Sequence, residues 1–264
     1  MILMRRWLAG IPGYLWSGWG ALASLLLFVA VWEAIALAYG PLVLPDPAAA
    51  FGRLVALADS GVAWPELAIT ARRAMTGLAL AILAGSLLGL LAGLSMTASM
   101  MARPVVTVLL GTPPIAWLVL AMLWFGAGDG TPVFTVFIAC LPVVFVGALQ
   151  GARTLDHHLK DMATAFRLSW RMKVFDLYLP HVVSYLFPAW INALGNSWRV
   201  VVMAELLSAA DGVGAALAVA RSQLDMDAAL AWIAAVVLAL LAVEYLLLEP
   251  VKREVERWRQ HERA

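Results

Sequence analysis

Long apolar runs separated by short polar loops dominate this chain. A helix crossing the roughly 30 Å hydrocarbon core of a bilayer needs about 20 apolar residues. Six segments qualify, at about 19–39, 66–94, 104–126, 131–150, 182–207 and 229–248. The stretch from Ala74 to Ala102 has no charge, and neither do the third and fourth segments. The first holds only Glu33, the sixth only Glu244, and the fifth carries Arg199 and Glu205. The pattern predicts an all-α polytopic membrane protein of six transmembrane helices. An N-terminal segment over 1–18, a long loop over 151–181 and a basic tail over 250–264 complete it.

Composition excludes the main alternatives. The 264 residues are 63% hydrophobic and 13% charged, against about 45–50% and about 25% in soluble domains. Mean hydropathy is +0.88. A soluble chain of this length buries only about three quarters of its unfolded surface, so its exterior would be insoluble. A soluble enzyme, a disordered protein and a nucleic-acid-binding protein are thereby disfavoured. The 12 tryptophans suit membrane–water interfaces. A lone Cys140 within an apolar run allows no disulfide framework.

The few charges orient the chain, because cytoplasmic loops collect Lys and Arg. One side would hold Arg5, Arg6, Arg103, Arg153, Lys160, Arg167, Arg171, Lys173 and five basic residues of the tail, and the other Arg53 and Arg221. Both termini are expected in the cytoplasm. The apolar run ahead of Ala36-Leu37-Ala38 is about 18 residues, longer than the roughly 7–15 of a signal peptide. It is expected to remain as the first span.

Within the spans, Gly77, Gly85, Gly89 and Gly93 fall on one helix face, which permits close helix approach. Packing within the molecule and a dimer or moving contact are both readings of that face. Gly111-Thr112-Pro113-Pro114 and Leu141-Pro142 are helix breakers in mid-segment, and broken membrane helices tend to line buried or wet cavities. Thr112 and Pro113 are therefore candidates for a substrate pathway or for a simple kink. In the fifth segment Asn192, Asn196 and Arg199 lie at spacings of four and three and share a face. Charges at membrane depth usually face a bundle interior or an aqueous path, which makes these three and Glu205 pathway candidates. The competing reading has Arg199 and Glu205 solvated near a span end or paired internally. Glu33 and Glu244 are expected to make structural hydrogen bonds.

No enzyme centre is visible. His157, His158, His181 and His261 lack zinc-ligand spacing, and there is no Gly-Lys-Ser phosphate loop. No metal or cofactor is expected on this chain.

The loop at 151–181 carries five basic residues and ends at Leu179-Pro180. A short Ala-rich helical turn is expected from Asp161 to Phe166, with the acid at its start, where the helix dipole favours it. Phe166 and Trp170 are expected to stand exposed, as a docking knob for a soluble partner. This loop resembles the EAA motif of bacterial ABC importer permeases: Asp161 takes the place of the acid, Ala163 and Ala165 the small positions, and Leu179-Pro180 the Leu-Pro end. Over roughly residues 30–250 the chain resembles the nitrate/sulfonate/taurine branch. The matching pieces are Trp32-Glu33, Leu44-Pro45-Asp46-Pro47, 67–77, 113–117, 123–126, Ser197-Trp198, Met203-Ala204-Glu205 and Asp211-Gly212-Val213-Gly214. It departs at Arg167, where the pattern has a glycine able to adopt φ > 0. Either the turn has changed shape, or Arg167 makes a charged contact with a partner.

The resemblance implies a type I ABC importer permease in the bacterial inner membrane, without catalytic residues. Such permeases pair with a second copy or a close relative and rest on two cytoplasmic ATPase subunits, which hold ATP and Mg. A periplasmic or lipid-anchored binding protein delivers the substrate. Asp161, Met162, Ala163, Thr164, Ala165, Phe166, Arg167, Leu168 and Ser169 would contact the ATPase. The loops at 44–65 and 211–227 would face the binding protein. The branch carries small anionic or polar solutes such as sulfonates, taurine and nitrate. A thiamine precursor or another small heterocycle is the alternative cargo, and a membrane-embedded enzyme or channel subunit the alternative class.

Overall fold

The computed structural model describes residues 2–41, 43–154 and 157–244, and among these the regular structure is all helix, with no strand. The expected tail 250–264 and the last residues of the expected sixth span lie outside the described residues. Helix α1 (Ile2–Tyr39) ends at Gly40, whose φ of +83° suits glycine. The Trp32 indole N–H donates to the Pro45 carbonyl at 2.8 Å, tying α1 to the following loop. Asp46 accepts the Ala49 N–H at 2.6 Å and Pro47 occupies the first turn, which starts α2 (Pro47–Asp59).

Helices α3 (Ala63–Gly93) and α6 (Gly130–Arg153) form the most extensive pair in the fold. The glycine face makes that approach possible. A Cβ on Gly77 would lie 2.7 Å from the Val133 carbonyl oxygen and the Val136 side chain, and one on Gly85 would lie 2.9 Å from the Leu141 oxygen. Gly89 meets the Phe145 carbonyl and Gly93 meets Ala152 more tightly still. All four glycines thus serve packing inside one chain. With helix α9 (Leu179–Ser208), the pair encloses a core of Ala74, Leu78, Val136, Cys140, Val144, Ala193, Trp198 and Val201.

Two proline sites expected to break helices behave differently. Between α4 (Met96–Gly111) and α5 (Pro114–Phe125) the chain turns by 92°. Pro113 forces Thr112 into the extended region (φ −82°, ψ 122°), and Pro114 then opens a new helix. Pro142, by contrast, sits buried inside an uninterrupted α6. This corrects the expectation of a broken fourth segment: one proline removes one hydrogen bond, and neighbouring helices hold the rest in place.

Five stretches are long and apolar enough to cross a membrane: 22–39, 63–93, 130–153, 170–208 and 226–243, the last being α11 (Met226–Val243). The bent α4–α5 pair supplies a sixth if it crosses as one. Between α9 and α11 lies the short α10 (Val213–Ser222).

In the long loop, α7 (His157–Ala165) is followed by α8 (Trp170–Met172) and a π turn over Lys173–Tyr178 that runs into α9. Because α7 begins at His157, Asp161 sits mid-helix, and the expected dipole role at a helix start does not apply. The helix ends in a Schellman turn: Leu168 N–H donates to the Ala163 carbonyl and Arg167 N–H to the Thr164 carbonyl, both at 3.0 Å. Arg167 holds φ +48°. The turn thus keeps the left-handed residue that a glycine would supply, and of the two readings of Arg167 the changed turn shape is the one not observed.

Candidate transport path, docking knob and buried ion cluster

Three places in the fold gather polar residues. The first is the junction of α3, the loop before α6, and the α9–α10 turn. Arg73 is 3% exposed and Glu205 is 0% exposed. The Arg73 guanidinium donates to Glu205 Oε1 at 3.0 Å, to Asp129 Oδ1 at 2.6 Å, to the Asp211 carbonyl at 2.8 Å and to the Asp211 carboxylate. Glu205 Oε2 accepts from the Thr70 hydroxyl at 2.8 Å and from Gly214 N–H at 3.1 Å. Thr70 in turn accepts Val213 N–H at 2.9 Å, and Glu66 accepts Gly212 N–H. The turn lies flat on this cluster because its glycines allow it. Gly212 has φ +91°, and a Cβ there would sit 2.6 Å from the Glu205 carboxylate. Buried charge survives in an apolar bundle only when paired and hydrogen-bonded in this way.

Glu205 is thereby set apart from the other pathway candidates. Its partner is Arg73, it has no exposure, and it lines no cleft described below. The sequence pattern alone gives Arg73 no role. The available signal is an arginine at the edge of a charge-free span, which requires an acidic partner at similar depth.

The second place is the flank of α9. Asn192, Asn196 and Arg199 come together on one cleft of about 280 Å³, which Leu240 of α11 and Glu244 just beyond it also line. Asn192 also lines a second cleft of about 410 Å³ with Leu110, Gln150, Ser184 and Tyr185. Polar positions therefore run along α9 on both sides of Asn192. Thr112 and Pro113 line neither cleft; the Thr112 hydroxyl donates to the Val108 carbonyl at 2.8 Å, closing the end of α4 two residues beyond Leu110. Glu33 and Glu244 are both exposed and neither has a side-chain hydrogen-bond partner among the described residues, so the structural bonds expected of them are not seen there.

The third place is the loop at 157–172. Ala163 is buried and anchors α7, while Met162, Phe166 and Trp170 point outward, the two aromatics each 75% exposed. Asp161, Thr164, Ala165, Arg167 and Ser169 are also exposed, and Leu168 is half-buried behind the turn. Ser169 caps α8, accepting Met172 N–H at 3.3 Å.

On the opposite end of α3, the two loops expected to face a binding protein meet. Arg53 of α2 pairs with Asp225, the cap of α11, at 3.5 Å. Around them a cleft of about 290 Å³ is lined by Glu66, Asp211, Gln223 and Trp232.

Residues 77–249 match the family described as binding-protein-dependent transport system inner membrane component. The chain belongs to this family of ABC importer permeases. As a member it is a non-enzymatic, multi-pass subunit of the inner membrane. It is similar to the taurine transport system permease protein of Escherichia coli (strain K12), 27% identical over 90% of this chain and 89% of the relative. A protein of the same strain named for aliphatic sulfonates transport is 31% identical over 75% of this permease and 76% of its own length. The nitrate import permease protein of Leptolyngbya laminosa is 29% identical over 59% of the permease and 56% of the relative.

Proposed function

We propose that this permease imports a small anionic or polar solute of the sulfonate, taurine or nitrate kind. The solute is handed over by a periplasmic or lipid-anchored binding protein, and two cytoplasmic ATPase subunits carrying ATP and Mg drive its passage. Two permease copies, or this chain and a close relative, enclose the path. Six spans with both termini in the cytoplasm put residues 161–169 on the ATPase side and the Arg53–Asp225 cleft on the binding-protein side. ATP binding draws the ATPases together and moves α7. Through the π turn and α9 that motion reaches Asn192, Asn196 and Arg199, which pass the solute along.

The observation that carries this reading is the form of the 157–172 loop. A short helix is anchored by the buried Ala163, closed by a Schellman turn, and presents Met162, Phe166 and Trp170 outward. An exposed apolar cluster of this kind is costly unless a partner covers it. The relatives support the solute class by their names. The test is Ala163→Phe and Asp161→Arg in the transporter reconstituted with its ATPase and binding protein. Uptake should fall at least tenfold while ATP hydrolysis persists without response to the loaded binding protein. Undiminished, substrate-stimulated uptake in both variants contradicts the reading.

A further inference from the structure

Arg167 is the residue of the 161–169 knob whose backbone is held against its own preference. At φ +48° it is the left-handed residue of the Schellman turn, its N–H donating to the Thr164 carbonyl while Leu168 N–H reaches the Ala163 carbonyl. That conformation is easy for glycine and disfavoured for a residue with a Cβ. Nothing inside the fold offsets the strain. Arg167 is exposed, and neither Asp161, Asp176 nor any other described residue takes an ion pair or a hydrogen bond from its guanidinium. Strain that the fold does not use points to a role outside it.

The surroundings give the chemistry of that role. Phe166 adjoins Arg167 and Trp170 lies three residues on, both exposed, with the exposed Met162 one turn back. Over 161–173 three cations, Arg167, Arg171 and Lys173, stand against the single acid Asp161. A surface with apolar side chains and a surplus of positive charge fits a groove with apolar walls and a negative rim. Anionic lipid headgroups would also answer the charge. A headgroup, however, diffuses to a cation wherever it stands and gains nothing from a fixed backbone. A left-handed turn sets the direction of the arginine, and the planar guanidinium fork rewards a carboxylate held at a fixed place.

We propose that Arg167 pairs with a carboxylate on the rim of the ATPase groove that receives the knob, and that this pair helps to select the matching ATPase. The assignment rests on the docking reading of 161–169 given above and adds the chemistry of the partner, an Asp or Glu opposite Arg167. It also accounts for an arginine where the resembled pattern has a glycine. The shape of the turn is kept, its ease is given up, and a charged contact is gained.

The test uses the assembled permease–ATPase complex in lipid nanodiscs, immobilised through the permease, with release of labelled ATPase followed at low and high salt. Discs of phosphatidylcholine alone are compared with discs that also contain phosphatidylglycerol. Arg167→Gln and Arg167→Gly should each speed release at least fivefold at low salt and flatten its salt dependence. The glycine variant should do so even though its turn is relaxed. Arg167→Lys, which keeps the charge, should stay within about threefold of the native complex. Arg167→Glu should release fastest, and reversing one acid of the ATPase groove to lysine should restore its retention, which separates a lost contact from a lost fold. Release from the glycine variant no faster than from the native complex overturns the pair. So does an effect confined to discs with phosphatidylglycerol, which assigns Arg167 to lipid, or the failure of every acid reversal to rescue Arg167→Glu. In all three cases the docking reading stands. A native permease that retains no ATPase overturns the docking reading itself and this assignment with it.

Discussion

The Arg73 guanidinium and the Glu205 carboxylate meet at 3.0 Å in the interior, joining α3 to α9 across 132 positions of sequence. Removing one partner of a buried pair leaves an unanswered charge, which costs about 3–5 kcal/mol. Arg73→Leu should therefore sharply lower the monodisperse yield and the unfolding temperature in detergent. Arg73→Leu with Glu205→Gln should recover part of the loss, because the neutral amide keeps partners in Thr70 and Gly214. A double variant no better than Arg73→Leu would show that the pair is not what holds the α9–α10 turn.

Gly89 faces the Phe145 carbonyl with no room for a side chain. Gly89→Val should separate α3 from α6 at a cost of about 1–3 kcal/mol or more, as overpacking does. Around Gly20 on α1, an added Cβ would meet nothing within 4 Å, so Gly20→Ala should leave thermal stability unchanged or slightly raised. Unfolding temperatures of the two variants, compared side by side, check this.

Arg167 holds a left-handed backbone at φ +48°, a conformation costing a residue with a Cβ about 1–2 kcal/mol. Arg167→Gly should relieve that cost without altering the turn. Amide exchange at Arg167 and Leu168, whose N–H groups close the Schellman turn, should slow severalfold. Arg167→Val should speed it, since β-branching disfavours φ > 0. Faster exchange in the glycine variant would contradict the strain argument.

The 92° turn between α4 and α5 rests on consecutive prolines. Replacing Pro113 and Pro114 together by alanine should let the two helices join. Spin labels at Thr107 and Val119 should then lie farther apart in pulsed electron resonance, and an unchanged distance would mean that packing, not proline, sets the bend.

What is legible in the sequence divides along physical lines. The apolar spans announce their positions because a bilayer imposes a length on each helix. The 161–169 knob and the Asn192–Asn196–Arg199 face are visible because 3.6-residue periodicity brings neighbours in sequence together in space. Partnerships between distant segments are not legible. Arg73 finds Asp129, Glu205 and Asp211 only after three helices pack, and Glu205 resembles a pathway residue while its partner is unknown. The two proline sites look alike in sequence, yet only the consecutive prolines turn the chain.

The central claim is that this permease is driven through the 161–169 knob by an ATPase, and photo-crosslinking tests it most directly. With a benzophenone amino acid at Phe166 in membranes containing the assembled transporter, illumination should yield a permease–ATPase adduct, while the same group at Trp19 should yield none. Phe166 crosslinked only to lipid or to a second permease copy, with no ATPase adduct, would contradict the account.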